Sequence, residues 1–204
     1  MTDHAAEVEP VGATVGEEHA PMSTTRKTAM WVFIGSECVF FGALISTFLL
    51  YRTETLDGPA PAEIFNIPFT SASSFILLMS SLTMVLGLHA HEKRDARGAR
   101  IWLSATALLG LMFLAGQVFE FTEFVDEGLT LSTSPFGSSF YVLTGFHGAH
   151  VAVGVIMLVA IVFMSLAGRL RHNEGMNVEL VGLYWHFVDV VWIAIFMAVY
   201  LMQV

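Results

Sequence analysis

Five long apolar runs divide this chain, and their lengths leave few folds open. They are Ala29–Tyr51, Phe69–Leu88, Ile101–Phe121, Phe140–Ala167 and Val181–Val204, each at least 20 residues long. At about 1.5 Å of rise per residue, twenty helical residues reach roughly 30 Å, the thickness of a bilayer's hydrocarbon core. A chain in lipid has to satisfy its backbone N–H and C=O groups internally, so such runs predict membrane-spanning helices. The expected fold class is all-α: a polytopic membrane bundle of five transmembrane helices over residues 28–204. Composition agrees, because 55% of the 204 residues are hydrophobic and only 13% are Asp, Glu, Lys or Arg. Soluble domains carry about twice that charge.

Residues 1–27 read differently. Asp3, Glu7, Glu9, Glu17 and Glu18 stand among small residues with Pro10 and Pro21, and no basic residue occurs before Arg26. This composition predicts an acidic, disordered tail, and it lacks the basic start and apolar stretch of a secretory leader. His4 and His19 within it are expected to be solvated. The basic residues set a topology. Arg26 and Lys27 precede the first run, Lys93, Arg94, Arg97 and Arg100 join the second to the third, and Arg169 and Arg171 join the fourth to the fifth. With alternating spans these eight share one side, and Arg52 stands opposite among Glu54, Asp57, Glu63, Glu123, Asp126 and Glu127. The positive-inside rule then predicts a cytoplasmic N-terminus and an outer C-terminus.

Polar residues inside the apolar runs carry the remaining information. Glu37 lies about eight residues into the first run, where a charged carboxylate costs several kcal/mol unless it is protonated, hydrated or paired. Gln117 and Glu120 close the third run three residues apart, so both can face one side. His147 and His150 share a face of the fourth run, where Gly145 and Gly148 would allow close helix approach. His186 and Asp189 share a face of the fifth near its middle, and Asp189 needs a partner at that depth. Its candidates are His186, directly or through water, and His147 or His150 from another helix. The polar set Gln117, Glu120, His147, His150, Glu179, His186 and Asp189 is expected either to hold the bundle together or to serve proton or ligand traffic.

Several chemistries fit poorly. Two axial haem ligands approach from opposite sides of the ring, and His147 and His150 lie together on one face. The single cysteine, Cys38, excludes an internal disulfide and a two-thiolate copper centre, and is expected to be a small packing residue. No phosphate-binding Gly-rich loop, His-Glu-x-x-His or nucleophile elbow occurs. The basic residues between the second and third runs are mixed with Glu92 and Asp95, which suits topology and lipid headgroups better than nucleic acid. No catalytic residue, cofactor site or metal site is expected in this chain.

Five segments together carry a family likeness. They are Gly35-Ser-Glu37 with Phe40-Phe41, Ser80-Ser-Leu-Thr83, Gln117-x-x-Glu120, Phe140-Tyr-x-x-Thr-Gly-Phe-His-Gly-x-His-Val, and Glu179 before Tyr184-Trp-His-Phe-Val-Asp-Val-Val-Trp192. From about Thr28 onward the chain resembles subunit III of the haem-copper respiratory oxidases, in the short bacterial form that lacks the first two of seven helices. The resemblance implies a multi-pass subunit of the bacterial inner membrane without haem or copper of its own. It would pack with subunits I and II, and with a small subunit IV where one exists, in a complex that reduces oxygen to water and pumps protons. Haems and copper are then expected in those partners, and phospholipids as structural ligands. Glu37 matches the buried glutamate of the first shared helix, which the family associates with proton uptake and carbodiimide reactivity. Cytochrome c is the expected electron donor, with quinol the alternative. An independent transporter or membrane scaffold is the remaining reading, although the expected internal repeat of a transporter is not evident.

Overall fold

The computed structural model describes residues 22–56, 59, 65–168 and 175–202. Five helices cross in alternating directions: α1 Met22–Tyr51, α2 Ile67–Glu92, α3 Ala96–Asp126, α4 Pro135–Leu166 and α5 Gly175–Phe196. A π-helical turn, Met197–Leu201, extends α5. All five are long and apolar enough to cross a membrane. Most of the acidic tail, with His4 and His19, lies outside the described residues, as do Asp57, Glu63, Arg169 and Arg171.

The helices outrun the apolar segments that announce them. α1 starts at Met22, so residues 22–27 are helical and Glu37 stands at the helix's middle, not near its inner end. α2 runs through His89 and His91 to Glu92, and α3 begins at Ala96, leaving a three-residue turn, Lys93–Asp95. Arg94 takes a positive φ of 61° there, and the Asp95 carboxylate accepts from the Arg97 and Gly98 N–H groups at 3.1 and 2.9 Å. Such a cap satisfies donors that a helix start leaves open. Asn66 caps α2, accepting from Phe69 N at 3.2 Å, and Ser134 caps α4, accepting from Gly137 N at 3.1 Å ahead of Pro135. Gly128, at φ 91°, ends α3 in a conformation that glycine adopts without strain.

Around α5 the others gather. α2 packs on α3, α3 on α4, and both α2 and α4 on α5, while α1 lies against α4 and α5. Packing in lipid depends on close contact and shared hydrogen bonds, since lipid tails solvate apolar side chains well. Trp185 of α5 shows how that works. Its ring is fully buried, and a Cβ at Gly110 of α3 or Gly154 of α4 would come within 2.5 and 2.8 Å of it. Its indole N–H donates to Ser80 of α2 at 2.9 Å, and the Trp192 N–H donates to Ser74 at 2.8 Å. Glycines on two helices and a hydroxyl on a third thus make the space and the anchor for the Trp185 side chain. Of the glycines in α4, Gly148 does admit a neighbour, with its missing Cβ position 2.5 Å from Gln117 Oε1. Gly145 does not: nothing lies within 4 Å of where its Cβ would be. Cys38, expected as a packing residue, is exposed on α1.

Candidate functional site

Glu37 and His150 meet between α1 and α4, with His150 Nε2 3.3 Å from Glu37 Oε2 and both side chains less than one-fifth exposed. The other ring nitrogen, Nδ1, is 2.8 Å from the Phe146 carbonyl oxygen one turn back. A carbonyl only accepts, so Nδ1 carries a hydrogen. Nε2 is then the nitrogen that faces the carboxyl group, which sets an imidazole against an acid of α1. Tyr184 of α5 donates its hydroxyl to the His150 carbonyl oxygen at 3.0 Å, tying this spot to a third helix. Phe41 stands edge-on to the imidazole at 5.0 Å between ring centroids, and Phe40 lies at 6.4 Å. An apolar wall of this kind strengthens the attraction between the polar groups it encloses.

A second polar group joins α2 and α5. Ser81 donates to Asp189, and the same hydroxyl oxygen lies 3.0 Å from His186 Nδ1. Asp189 thus finds its partner in Ser81, and His186 reaches it only through that hydroxyl. Neither His147 nor His150 bonds to it. Nearby, Thr83 and Thr106 share a hydrogen bond of 2.8 Å between α2 and α3. The third group lies toward the opposite ends of the same helices, where buried Glu120 accepts from Thr70. Gln117, one turn away, instead donates to the Thr144 carbonyl oxygen on α4 at 2.8 Å. The two residues that share a face of α3 therefore serve different neighbours.

Two members of the expected polar set stand apart. His147 is fully buried and neither ring nitrogen has a hydrogen-bond partner among the described residues. Its ring stacks on Trp192 at 4.8 Å and meets Phe113 edge-on at 5.9 Å. Glu179 is not buried: it pairs with Lys27 at 2.6 Å with its side chain 39% exposed. Beside it Arg26 donates to Asn177 at 2.8 Å, and at the other end of α1 Arg52 donates to the Met202 carbonyl oxygen at 2.9 Å. Basic residues thus fasten α1 to α5 at both ends. Sequence reading missed Thr70, Ser81, Tyr184 and Lys27 as partners. Hydroxyl residues recurring through the second apolar run were the available signal.

Among the described residues no three His, Cys, Asp or Glu side chains gather as a metal site. What the arrangement offers is a carboxyl–imidazole contact at the middle of α1 and two hydrogen-bonded acids, Asp189 and Glu120.

The sequence model of the family described as "Cytochrome c oxidase subunit III" matches residues 4–204, reaching further toward the N-terminus than the motifs do. The chain is 37% identical over 193 residues to quinol oxidase subunit 3 of Bacillus subtilis (strain 168), covering 92% of this chain and 95% of that protein. It is 38% identical over 172 residues to cytochrome c oxidase subunit 3 of Bacillus sp. (strain PS3), covering 84% and 83%. With the corresponding subunit of Alkalihalophilus pseudofirmus it shares 39% over 175 residues, 85% of each chain. The five-helix membrane bundle agrees with that likeness. The chain belongs to the cytochrome c oxidase subunit III family, as a multi-pass accessory subunit of a bacterial respiratory terminal oxidase.

Proposed function

We propose that this chain supports proton supply and sustained turnover in a proton-pumping terminal oxidase whose haems and copper belong to its partner subunits. The observation that carries this is the Glu37–His150 contact, which sets a carboxyl group able to exchange a proton against an imidazole at the middle of α1. The basic residues at the α1 start and the α2–α3 turn support a cytoplasmic N-terminus. Replacement by glutamine tests the proton directly. In Glu37→Gln the amide still donates to Nε2, so packing persists while the exchangeable acid proton is gone. In assembled complexes reconstituted into vesicles, Glu37→Gln should shorten turnover lifetime or slow proton uptake with the haem spectrum unchanged. Glu37→Leu, which leaves Nε2 without a partner, should in addition loosen the subunit. Unchanged uptake, pumping and lifetime in fully assembled Glu37→Gln would leave a purely structural pair.

For the electron donor, quinol is the better supported reading, in place of the cytochrome c expected from the sequence. Two quinol oxidase relatives, from Bacillus subtilis and Bacillus spizizenii, align over 92% of this chain, against 84% and 85% for the cytochrome c oxidase relatives from Bacillus sp. (strain PS3) and Alkalihalophilus pseudofirmus. The partner sequence decides the matter. A subunit II domain with two cysteines, His and Met arranged for a copper centre would favour cytochrome c, and its absence quinol.

A further inference from the structure

α5 is the most enclosed helix of the bundle, yet one narrow stripe of it faces outward. Half-buried His186 begins this stripe, and Val190, Ile193 and Met197 continue it at helical spacing, with exposures of 64%, 39% and 48%. The flanks of the stripe are settled by contacts. On one side Ser81 of α2 meets His186 and Asp189; on the other, Phe41 of α1 meets Phe187 at 6.4 Å. No comparable packing joins α1 to α2. The stripe is therefore the floor of a groove with α1 and α2 as walls.

His186 is out of place on such a floor if lipid fills the groove. Its Nε2 has no partner among the described residues and is open to the surface. Whichever way protons are arranged, that atom needs one. If Ser81 gives its hydrogen to Asp189, then Nδ1–H donates to Ser81 and Nε2 is a bare acceptor; if Asp189 holds a proton and donates to Ser81, the hydroxyl turns to Nδ1 and Nε2–H is a donor. His186 lies about 15 Å of helix rise from Met176 and about 22 Å from Leu201, so lipid headgroups are distant, and acyl chains neither donate nor accept. Elsewhere the exposed stripe of α4, Ile156, Val159 and Phe163, is wholly apolar and suits lipid.

We propose that this groove seats a transmembrane helix of another oxidase subunit, which bonds to His186 Nε2 through a hydroxyl or carboxamide side chain. Both groups donate as well as accept, and so suit either proton arrangement in the Ser81–His186–Asp189 chain. Apolar Val190 and Ile193 would pack against the same helix on one side of the polar contact. The proposal rests on the oxidase-subunit reading and adds a surface to it.

The test uses the assembled complex, purified through a tag on this chain, with a photo-reactive benzoylphenylalanine at Val190. Haem absorbance and partner subunits in the sample report the oxidase reading independently of the groove. Irradiation should then join the chain to another oxidase subunit, identified by mass spectrometry of the adduct. Adducts with lipid alone, or between two copies of this chain, in a sample that contains the partners would overturn the groove proposal while leaving the oxidase reading intact. A sample without haem-bearing partners would overturn both. As a second measurement, His186→Leu should be lost several-fold faster than wild type in mild detergent washes and His186→Gln should be retained. Retention of His186→Leu equal to wild type would also overturn the proposal.

Discussion

Replacing Gly110 with alanine places a methyl group where the structure has room for none. The added Cβ would lie 2.5 Å from Trp185 Cη2 and 2.9 Å from Val155 Cγ2, both far inside ordinary carbon contact. Trp185 cannot easily swing aside, because its N–H is fixed to Ser80 at 2.9 Å and Gly154 closes the opposite approach at 2.8 Å from the would-be Cβ. Overpacking of a rigid core typically costs about 1–3 kcal/mol. Gly110→Ala and Gly154→Ala should each lower stability by that amount, roughly five- to 160-fold in the ratio of folded to unfolded chain. Because both press on one ring, the double variant should fall short of or exceed the sum by more than about 0.5 kcal/mol. Gly145→Ala is the control, since nothing lies within 4 Å of its Cβ position. Unfolding in mixed micelles with rising SDS, followed by far-ultraviolet circular dichroism, gives the midpoints. Gly110→Ala unfolding at the same SDS fraction as Gly145→Ala would refute the account of Trp185 as the lock between α2, α3, α4 and α5.

Two further predictions concern polar contacts at different depths. Asp189→Ala removes the buried acceptor of the Ser81 hydroxyl, about 1–3 kcal/mol, and should reduce retention of the chain in the complex more than Asp126→Ala, where water replaces an exposed carboxylate; equal retention after mild detergent washing would count against a structural role for Asp189. Lys27→Gln should change assembly by less than about 1 kcal/mol, and less still at high salt, because the Lys27–Glu179 pair is 42% and 39% exposed; loss of the chain from Lys27→Gln complexes would show that the end fastening of α1 matters more than its exposure implies.

Which features were legible in the sequence follows from what apolar periodicity reports. The five helices were, because lipid demands long apolar runs and those runs stand apart. Their ends were not. Residues 22–28, His89–Glu92 and Ala96–Arg100 are polar yet helical, since a helix can continue past the hydrocarbon and Asp95 caps the next one immediately. Within the site, same-helix spacing grouped His186 with Asp189 and Gln117 with Glu120. It said nothing of which neighbour each face meets, so Ser81 and Thr70 emerged only from the packing of α2. Spacing also grouped His147 with His150, whereas the fold surrounds the first with Trp192 and Phe113 and gives the second to Glu37.

On this reading the chain works as the third subunit of a terminal oxidase. The most direct test is purification through a tag on this chain, with subunit mass spectrometry, a haem spectrum and oxygen uptake measured on one sample. Haem absorbance should then belong to co-purifying larger subunits, with oxygen uptake driven by quinol in preference to reduced cytochrome c. A tagged chain that purifies stably alone, or that itself carries stoichiometric haem, would contradict it.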